Sequence, residues 1–393
     1  MRITAIRTTP VNLPLEAPYI WALGEHPGFS KTIVEVETDE GLVGLGEAPS
    51  HNEAATIEGF AERLIGTDAL DIAGAEARCL PEVRTSANTD DASALRAFGA
   101  IEVALWDLRG KCWNVPVSTL LGGIVRSEIP FTEYFAFRAT KDGKGGEASP
   151  EAVADYCAAM HDAHGSTWFE GKISFADPAL SVAVVRTLRE RLGDDAMIRL
   201  DSNMAYSVPT AIRIAQEIEP LNIRNWEEPV GSFEEMAKLR RHTAIPFSAH
   251  PPDLRRAAAL GSPDALVVNI AALGGIARTQ RFIGAAEQMG IDVWFYSGDG
   301  GIMTAAYLHM AAALHHVREP SQSLFAWQAL DVIEGGPFRQ KNNVVPVPRG
   351  PGLGVTLDRD RMAHAHQQFA DDGPLSYYID PALGGRYRRL PLA

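Results

Sequence analysis

Positive charge is scarce in this chain. Against 50 Asp and Glu stand 36 Lys and Arg, a net charge of −14 over 393 residues. The excess is spread along the sequence, which argues against nucleic-acid and anionic-membrane partners, since both need basic patches. An anionic small molecule is still allowed, because a bound divalent cation sets the local field. Cysteine is scarcer: Cys79, Cys112 and Cys157 contain no CxxC pair. That excludes a disulfide framework and reads as reduced thiols in a cytoplasmic enzyme. Long apolar runs are missing too, since ALVVNIAAL (Ala265 to Leu273) falls well short of the roughly 20 residues of a membrane span. The opening MRITAIRTTPVNLPL alternates like a strand and lacks a signal-peptide core. No low-complexity segment or short-period repeat is present. A soluble, cytoplasmic, globular protein is expected, with two domains or a barrel with an attachment.

What the chain does have is a run of strand-length apolar segments that each end on a reactive side chain. TWFEGKIS (Thr167 to Ser174) carries Lys172, and AMIRLDSN (Ala196 to Asn203) ends on Asp201 and Asn203. IRNWEEP (Ile223 to Pro229) ends on Glu227 and Glu228, and IPFSAHP (Ile245 to Pro251) on His250. Helix-compatible segments separate them, which is the rhythm of a parallel barrel or a doubly wound sheet. In a (β/α)8 barrel the C-terminal strand ends converge on one mouth. Lys, Asp, Glu and His at successive ends then read as a base beside a metal.

Before this run, residues 1–50 alternate as antiparallel strands, with a Pro/Gly-rich loop from Pro14 to Ser30 and a hairpin signal at Asp39-Glu40-Gly41. From Asn52 to Trp113 the spacing is helical, clearest in AIEVALWDLRGKCW. The expected organisation is an α+β capping domain over residues 1–125, a (β/α)8 TIM-type barrel over 126–330, and a tail over 331–393 that packs back on the cap. The first barrel strand is expected in IPFTEYFAF from Ile129, the sixth over Ala265 to Ala271, the seventh over Asp292 to Ser297, and the eighth over Leu324 to Trp327.

With a cap before a barrel, AIEVALWDLRGK leading into VPVSTLLGG, and the order Lys172, Asp201-x-Asn203, Glu227-Glu228-Pro229, the chain resembles the enolase superfamily. It is most similar to the mandelate racemase/muconate lactonizing enzyme side. The phrases FYSGDGGIMTAAYLHMAAAL and PFRQKNNVVPVPRGPGLGVTLD look most like acid-sugar dehydratases of the glucarate type. The resemblance implies abstraction of the proton α to a carboxylate, with an enediolate held on Mg²⁺; a Lys or His base beside Mg²⁺ is the established pattern of this superfamily. Residue by residue, Lys172 matches the base, Asp201 and Glu227 two metal ligands, and Asn203 a polar residue facing substrate or the metal's water. His250 stands at the third ligand position, with Asp253 as a substitute. Glu170 replaces the first Lys of a Lys-x-Lys pattern, Tyr296 replaces a His, and Asn269 its Asp partner. Trp21 and His26 sit on the segment that in the family folds over the mouth.

Hard cations prefer carboxylate oxygens, so Asp201 and Glu227 suit Mg²⁺, and a His250 nitrogen would admit Mn²⁺ or another divalent metal. Lys172 serves as a base once a nearby cation or desolvation favours its neutral form. Glu170, on the same strand face, would pair with Lys172 or contact substrate. A phenol at 296 is a fair proton donor and a poor base. One base plus one acid favours dehydration of an aldonate or aldarate, with Lys172 taking the α proton and Tyr296 or the protonated Lys172 assisting loss of the β-hydroxyl. Glu170, Asn203, Asn269, His26 and Trp21 are substrate contacts in this reading. The alternatives are a racemase or epimerase of a hydroxy or amino acid, and a catalytically silent homologue that binds a ligand. The glycine-rich turn Gly298-Asp299-Gly300-Gly301 opens a helix whose amides could hold an anion. A small-molecule carboxylate substrate and a homo-oligomer, dimer or octamer, are the expected partners.

Overall fold

The computed structural model describes residues 1–80, 91–296, 298–376, 379–380 and 383–393. Its first layer is an antiparallel sheet of β1 (Ile3–Trp21), β2 (Gly24–Thr38) and β3 (Val43–Ala48), in that order. The Pro/Gly-rich segment expected as a loop is instead a long hairpin, with Trp21 opposite Gly24 at its tip. Its prolines are absorbed by a register shift between Pro14 and Tyr19. At the shift, Gly28 adopts φ +150°, and a Cβ there would lie 2.6 Å from the Leu13 carbonyl oxygen. Only glycine fits that bulge. Partners in the barrel hold the far half of the hairpin, where Ile20 N donates to Phe137 O at 2.7 Å and Ala139 N to Pro18 O at 2.9 Å.

Helices α1 (Ala54–Leu64), α2 (Ile72–Cys79), α3 (Asp91–Trp113) and α4 (Val117–Leu120) complete the cap. Helix α3 lies almost in contact with β3, because the strand carries Gly44 and Gly46 against Ala100 and Ala104. A short β4 (Glu128–Pro130) then leads into the barrel.

Seven parallel strands follow in sequential order: β5 (Glu133–Phe135), β6 (Trp168–Lys172), β7 (Met197–Asp201), β8 (Asn225–Glu227), β9 (Phe247–Ala249), β10 (Ala265–Val268) and β11 (Asp292–Phe295). The expected end of the seventh strand, Ser297, lies outside the described residues. Around the strands run α5 (Pro150–His164), α6 (Pro178–Leu192), α7 (Val208–Ile218), α8 (Phe233–Leu239), α9 (Leu254–Leu260), α10 (Ile276–Met289) and α11 (Gly301–Ala313). Ser149, Asp177, Ser232 and Asp253 each cap the helix they precede.

The eighth stave is not where the sequence places it. Leu324–Trp327 is a 3-10 turn. Closure comes from Ser321 and Gln322 just before it: Thr132 N donates to Ser321 O at 2.9 Å, and Gln322 N to Phe295 O at 3.0 Å. The 3-10 turn instead carries Leu324 and Trp327 into an aromatic cluster with Leu15, Tyr19, Phe29 and Tyr134, and that burial outweighs the strand propensity of an isolated apolar tetrapeptide.

Beyond the barrel, β12 (Val344–Pro346) pairs antiparallel with β4, and α12 (Arg359–Asp372) packs on β1. Arg359 grips Glu35 of the cap bidentately at 2.9 and 2.5 Å. The chain then crosses to the barrel mouth, where Leu392 N donates to Ala205 O at 2.7 Å. The tail thus touches both layers. Among the described residues no helix is long and apolar enough to cross a membrane.

Candidate active site

The parallel register places Lys172 beside Asp201 and Asp201 beside Glu227. All three are nearly closed to solvent, at 6, 1 and 1 % exposure. Immediately past the strands the backbone turns left-handed, at Asn203 (φ 44°), Met204 (φ 60°) and Glu228 (φ 42°). Asparagine tolerates that region, and a Glu there marks local backbone strain at the strand end. The turn folds Asn203 back on the preceding carboxylate, its N donating to Asp201 Oδ1 at 2.9 Å and its Nδ2 to Asp201 Oδ2 at 3.3 Å. Asp201 Oδ2 also accepts a short bond from Lys172 Nζ.

Glu227 pairs with the His250 Nε2 at 3.0 Å. Burial first, then the charge of Asp201, pushes the Glu227 carboxyl up to about 8. Burial works to lower His250, but the carboxylates of Glu227, Glu228 and Asp201 outweigh it and raise the imidazole to about 9. Both groups are shifted toward their protonated forms, the response of crowded acids short of counter-charge.

Glu170 neither pairs with Lys172 nor lines the cavity. It is fully buried below the mouth and accepts from Thr132 Oγ1 (3.2 Å), Arg199 (3.4 Å) and Gln322 Nε2 (2.9 Å). Gln322 Nε2 reaches Glu227 Oε2 as well, at 2.9 Å. Lys172 therefore has Asp201, not Glu170, as its carboxylate. Asp253 is also placed elsewhere: its side chain accepts from Arg256 N at 3.0 Å as the cap of α9.

Above these groups lies a cavity of about 500 Å³, lined in part by Trp21, His26, Lys31, Tyr134, Lys172, Asp201, Asn203, His250, Asn269 and Tyr296. The Lys172 ammonium sits 6.0 Å from the Trp21 ring and 5.9 Å from that of Tyr134. His26 stacks on Tyr19 at 4.9 Å. Burial, then the charges of Lys172 and Lys31, lower it to about 3, so it is a neutral wall at physiological pH. Tyr296 meets His250 edge-on at 5.7 Å, and its hydroxyl folds back against Gly298, where any Cβ would collide with it. Asn269 Nδ2 donates to Asp299 Oδ2 at 3.2 Å.

Amides of the glycine-rich turn and the helix it opens are already engaged by the cap. Gly300 N and Met303 N, at the start of α11, are taken by Glu47 of β3 at 2.6 and 3.3 Å. Sequence reasoning missed Lys31, Gln322, Asp299 and Tyr134. Lys31 sits inside an ordinary strand pattern, and Gln322 follows no motif, so only the long-range closure of the chain brings them in.

Among the described residues, no three His, Cys, Asp or Glu are gathered closely enough to enclose an ion. The donor types nevertheless suit one: the buried carboxyl groups of Asp201 and Glu227 stand in adjacent register with the His250 imidazole beside Glu227, and a divalent cation would relieve the crowding of acids there.

Residues 3–122 match the family model "Mandelate racemase / muconate lactonizing enzyme, N-terminal domain", and residues 152–361 match "Enolase C-terminal domain-like". A protein of Streptomyces coelicolor described as "Probable glucarate dehydratase" is 28% identical, the match covering 95% of this chain and 93% of that one. The D-galactarolactone cycloisomerase of Agrobacterium fabrum is also 28% identical, over 92% of this chain and 98% of its own. The crystal structure of an enolase from Mycobacterium smegmatis complexed with tartrate superimposes with a TM-score of 0.91 at 26% identity, covering 100% and 98% of the two chains. That of an enolase from Thermobispora bispora, complexed with magnesium and formate, gives 0.86 at 28% identity, over 95% and 94%.

Proposed function

From the premise that the chain belongs to the mandelate racemase/muconate lactonizing enzyme family of the enolase superfamily, a lyase-type enzyme by its dehydratase and cycloisomerase relatives, we propose that it dehydrates a hydroxylated acid sugar, an aldonate or aldarate. One arrangement carries this reading: Lys172, Asp201 and Glu227 in register at successive strand ends, beneath a cavity walled by aromatic side chains of the cap. Asp201 and Glu227, with His250, would hold a divalent ion, Mg²⁺ or, given the imidazole, Mn²⁺. When bound, such an ion supplies positive charge for the substrate carboxylate as the α proton leaves.

The chain's own residues do the rest. Lys172 takes the α proton, leaving an enediolate. Asn203, Asn269 and Tyr296 orient the substrate's oxygens, while Trp21 and the neutral His26 close the mouth against water. Asp201 holds the Lys172 ammonium between turnovers.

The test is a set of four acids, tartrate, glucarate, galactarate and gluconate, incubated with Mg²⁺ in D₂O and followed by NMR. Dehydration of at least one, with α-deuterium exchange that Lys172→Ala lowers at least about 100-fold, is the expected result. Exchange at the wild-type rate in that variant refutes the role of Lys172. Inversion without water loss points to an epimerase, and no reaction with binding to a silent homologue. Chelation of the divalent ion should abolish turnover and its return restore it.

A further inference from the structure

Lys31 is the cap's one lysine in the cavity lining. It comes from β2, is 2 % exposed, and donates to Asp299 Oδ1 at 2.5 Å. Its ammonium also lies 5.1 Å from the centre of the Phe29 ring. Asp299 is held in turn: its Oδ2 accepts from Tyr307 OH at 2.6 Å and from Asn269 Nδ2 at 3.2 Å. Asn269 directly follows β10, the sixth stave, Asp299 lies in the turn between β11, the seventh, and α11, and Tyr307 is on α11, whereas Lys172 ends β6, the second. In a closed ring of eight staves those positions face each other across the mouth. A substrate lying between them would show one face of its α carbon to Lys172 and the other to Lys31. His26 lines the same cavity as both lysines. Tyr296 is less well placed to act, because its hydroxyl is turned back on Gly298.

We propose that Lys31 is the acid of the elimination, protonating the departing β-hydroxyl on the face opposite Lys172, with Asp299 as the residue that positions it. This rests on the dehydratase reading given above. The step balances within the chain and substrate. Lys172 accepts the α proton, and the C–H electron pair enters the enediolate. As the Cβ–O bond breaks, that pair forms the Cα–Cβ double bond of an enol. The oxygen leaves as water with a proton from Lys31. Lys172 then releases one proton to solvent and Lys31 recovers one, with no net redox change.

The experiment uses the full-length enzyme with Mg²⁺ and whichever of the four acids the wild type dehydrates, reading α-deuterium exchange and water loss in the same NMR sample. In Lys31→Arg the charge and the Asp299 pair are kept, but a guanidinium does not surrender a proton. Exchange should stay within about 3-fold of wild type while dehydration falls at least about 100-fold, the range of a lost general acid. Asp299→Asn should move the same ratio in the same direction by a smaller factor. If Lys31→Arg does not fold, the doubly neutral Lys31→Met/Asp299→Asn carries the same comparison. Dehydration at the wild-type rate, or loss of exchange and dehydration together, overturns the assignment of Lys31 alone. A wild type that neither exchanges nor dehydrates any of the four acids overturns the dehydratase reading first, and this proposal with it.

Discussion

Arg199 illustrates how much of this site is settled one side chain at a time. It is 1 % exposed in the barrel core, 4.0 Å from the Trp294 ring centre, and donates to Pro320 O at 2.7 Å, Glu319 at 3.1 Å and Glu170 at 3.4 Å. Through Glu170 and Gln322 the chain of bonds runs up to Glu227. Removing one member of such a buried set strands the others: Arg199→Met should cost about 3–5 kcal/mol, whereas adding Glu170→Gln should recover much of it. Urea midpoints of the wild type, single and double variants check this, and equal midpoints for the single and double would refute the coupling. The sequence shows Lys172, Asp201, Asn203, Glu227 and His250 because strand ends of a parallel barrel must meet. Their partners are hidden because hydrogen bonds such as Gln322 to Glu170 join positions 152 residues apart.

At the scale of elements, strands β6 to β11 are legible from apolar runs bounded by turn residues, and the capped helices from Ser or Asp followed by amphipathic spacing. Two elements are not. The β1–β2 hairpin reads as a loop because Pro14 and Pro18 suggest breaks, yet a bulge and pairing with the barrel absorb them. The eighth stave reads as Leu324–Trp327 because those residues are apolar, while the actual closure is polar, through Ser321 and Gln322. Close packing gives a direct test of the cap. A Cβ on Gly46 would run into the carbonyl oxygen of Ala100, which belongs to the backbone of α3 and cannot rotate away. Gly46→Ala should therefore destabilise by about 1–3 kcal/mol through overpacking, read as a lowered urea midpoint. Gly59→Ala on α1, where an added Cβ meets nothing within 4 Å, is the control, and it should leave the midpoint unchanged or raise it.

For the whole molecule, the joint between cap and barrel is made of buried acids gripping helix ends. Glu102 of α3 accepts from Ile276 N and Ala277 N at 2.7 and 2.9 Å, at the start of α10. Glu47 of β3 does the same for α11. Burial raises Glu102 to about 7, and burial with the charge of Asp299 raises Glu47 to about 8, both from 4.5. A raised carboxyl means the folded chain binds more protons than the unfolded one between the two values. Stability then falls as pH rises through that window, by up to about 1.4 kcal/mol per pH unit for each group. His26 and His309, lowered to about 3 and 4 from 6.5, act in the opposite sense, but they are half spent at pH 6.5 and gone by about 7.5, while Glu227 and His250, raised to about 8 and 9, add to the acids. Between pH 6.5 and 8.5 the raised groups together therefore decide the sign, and Glu47 and Glu102 are the joint's share of them. The urea midpoint should decline over that range, and Glu47→Gln, which keeps an acceptor for the α11 amides without a titrating proton, should flatten the decline. A midpoint that rises with pH, or a slope that Glu47→Gln leaves unchanged, would show that the joint does not carry the charge-dependent part of the protein's stability.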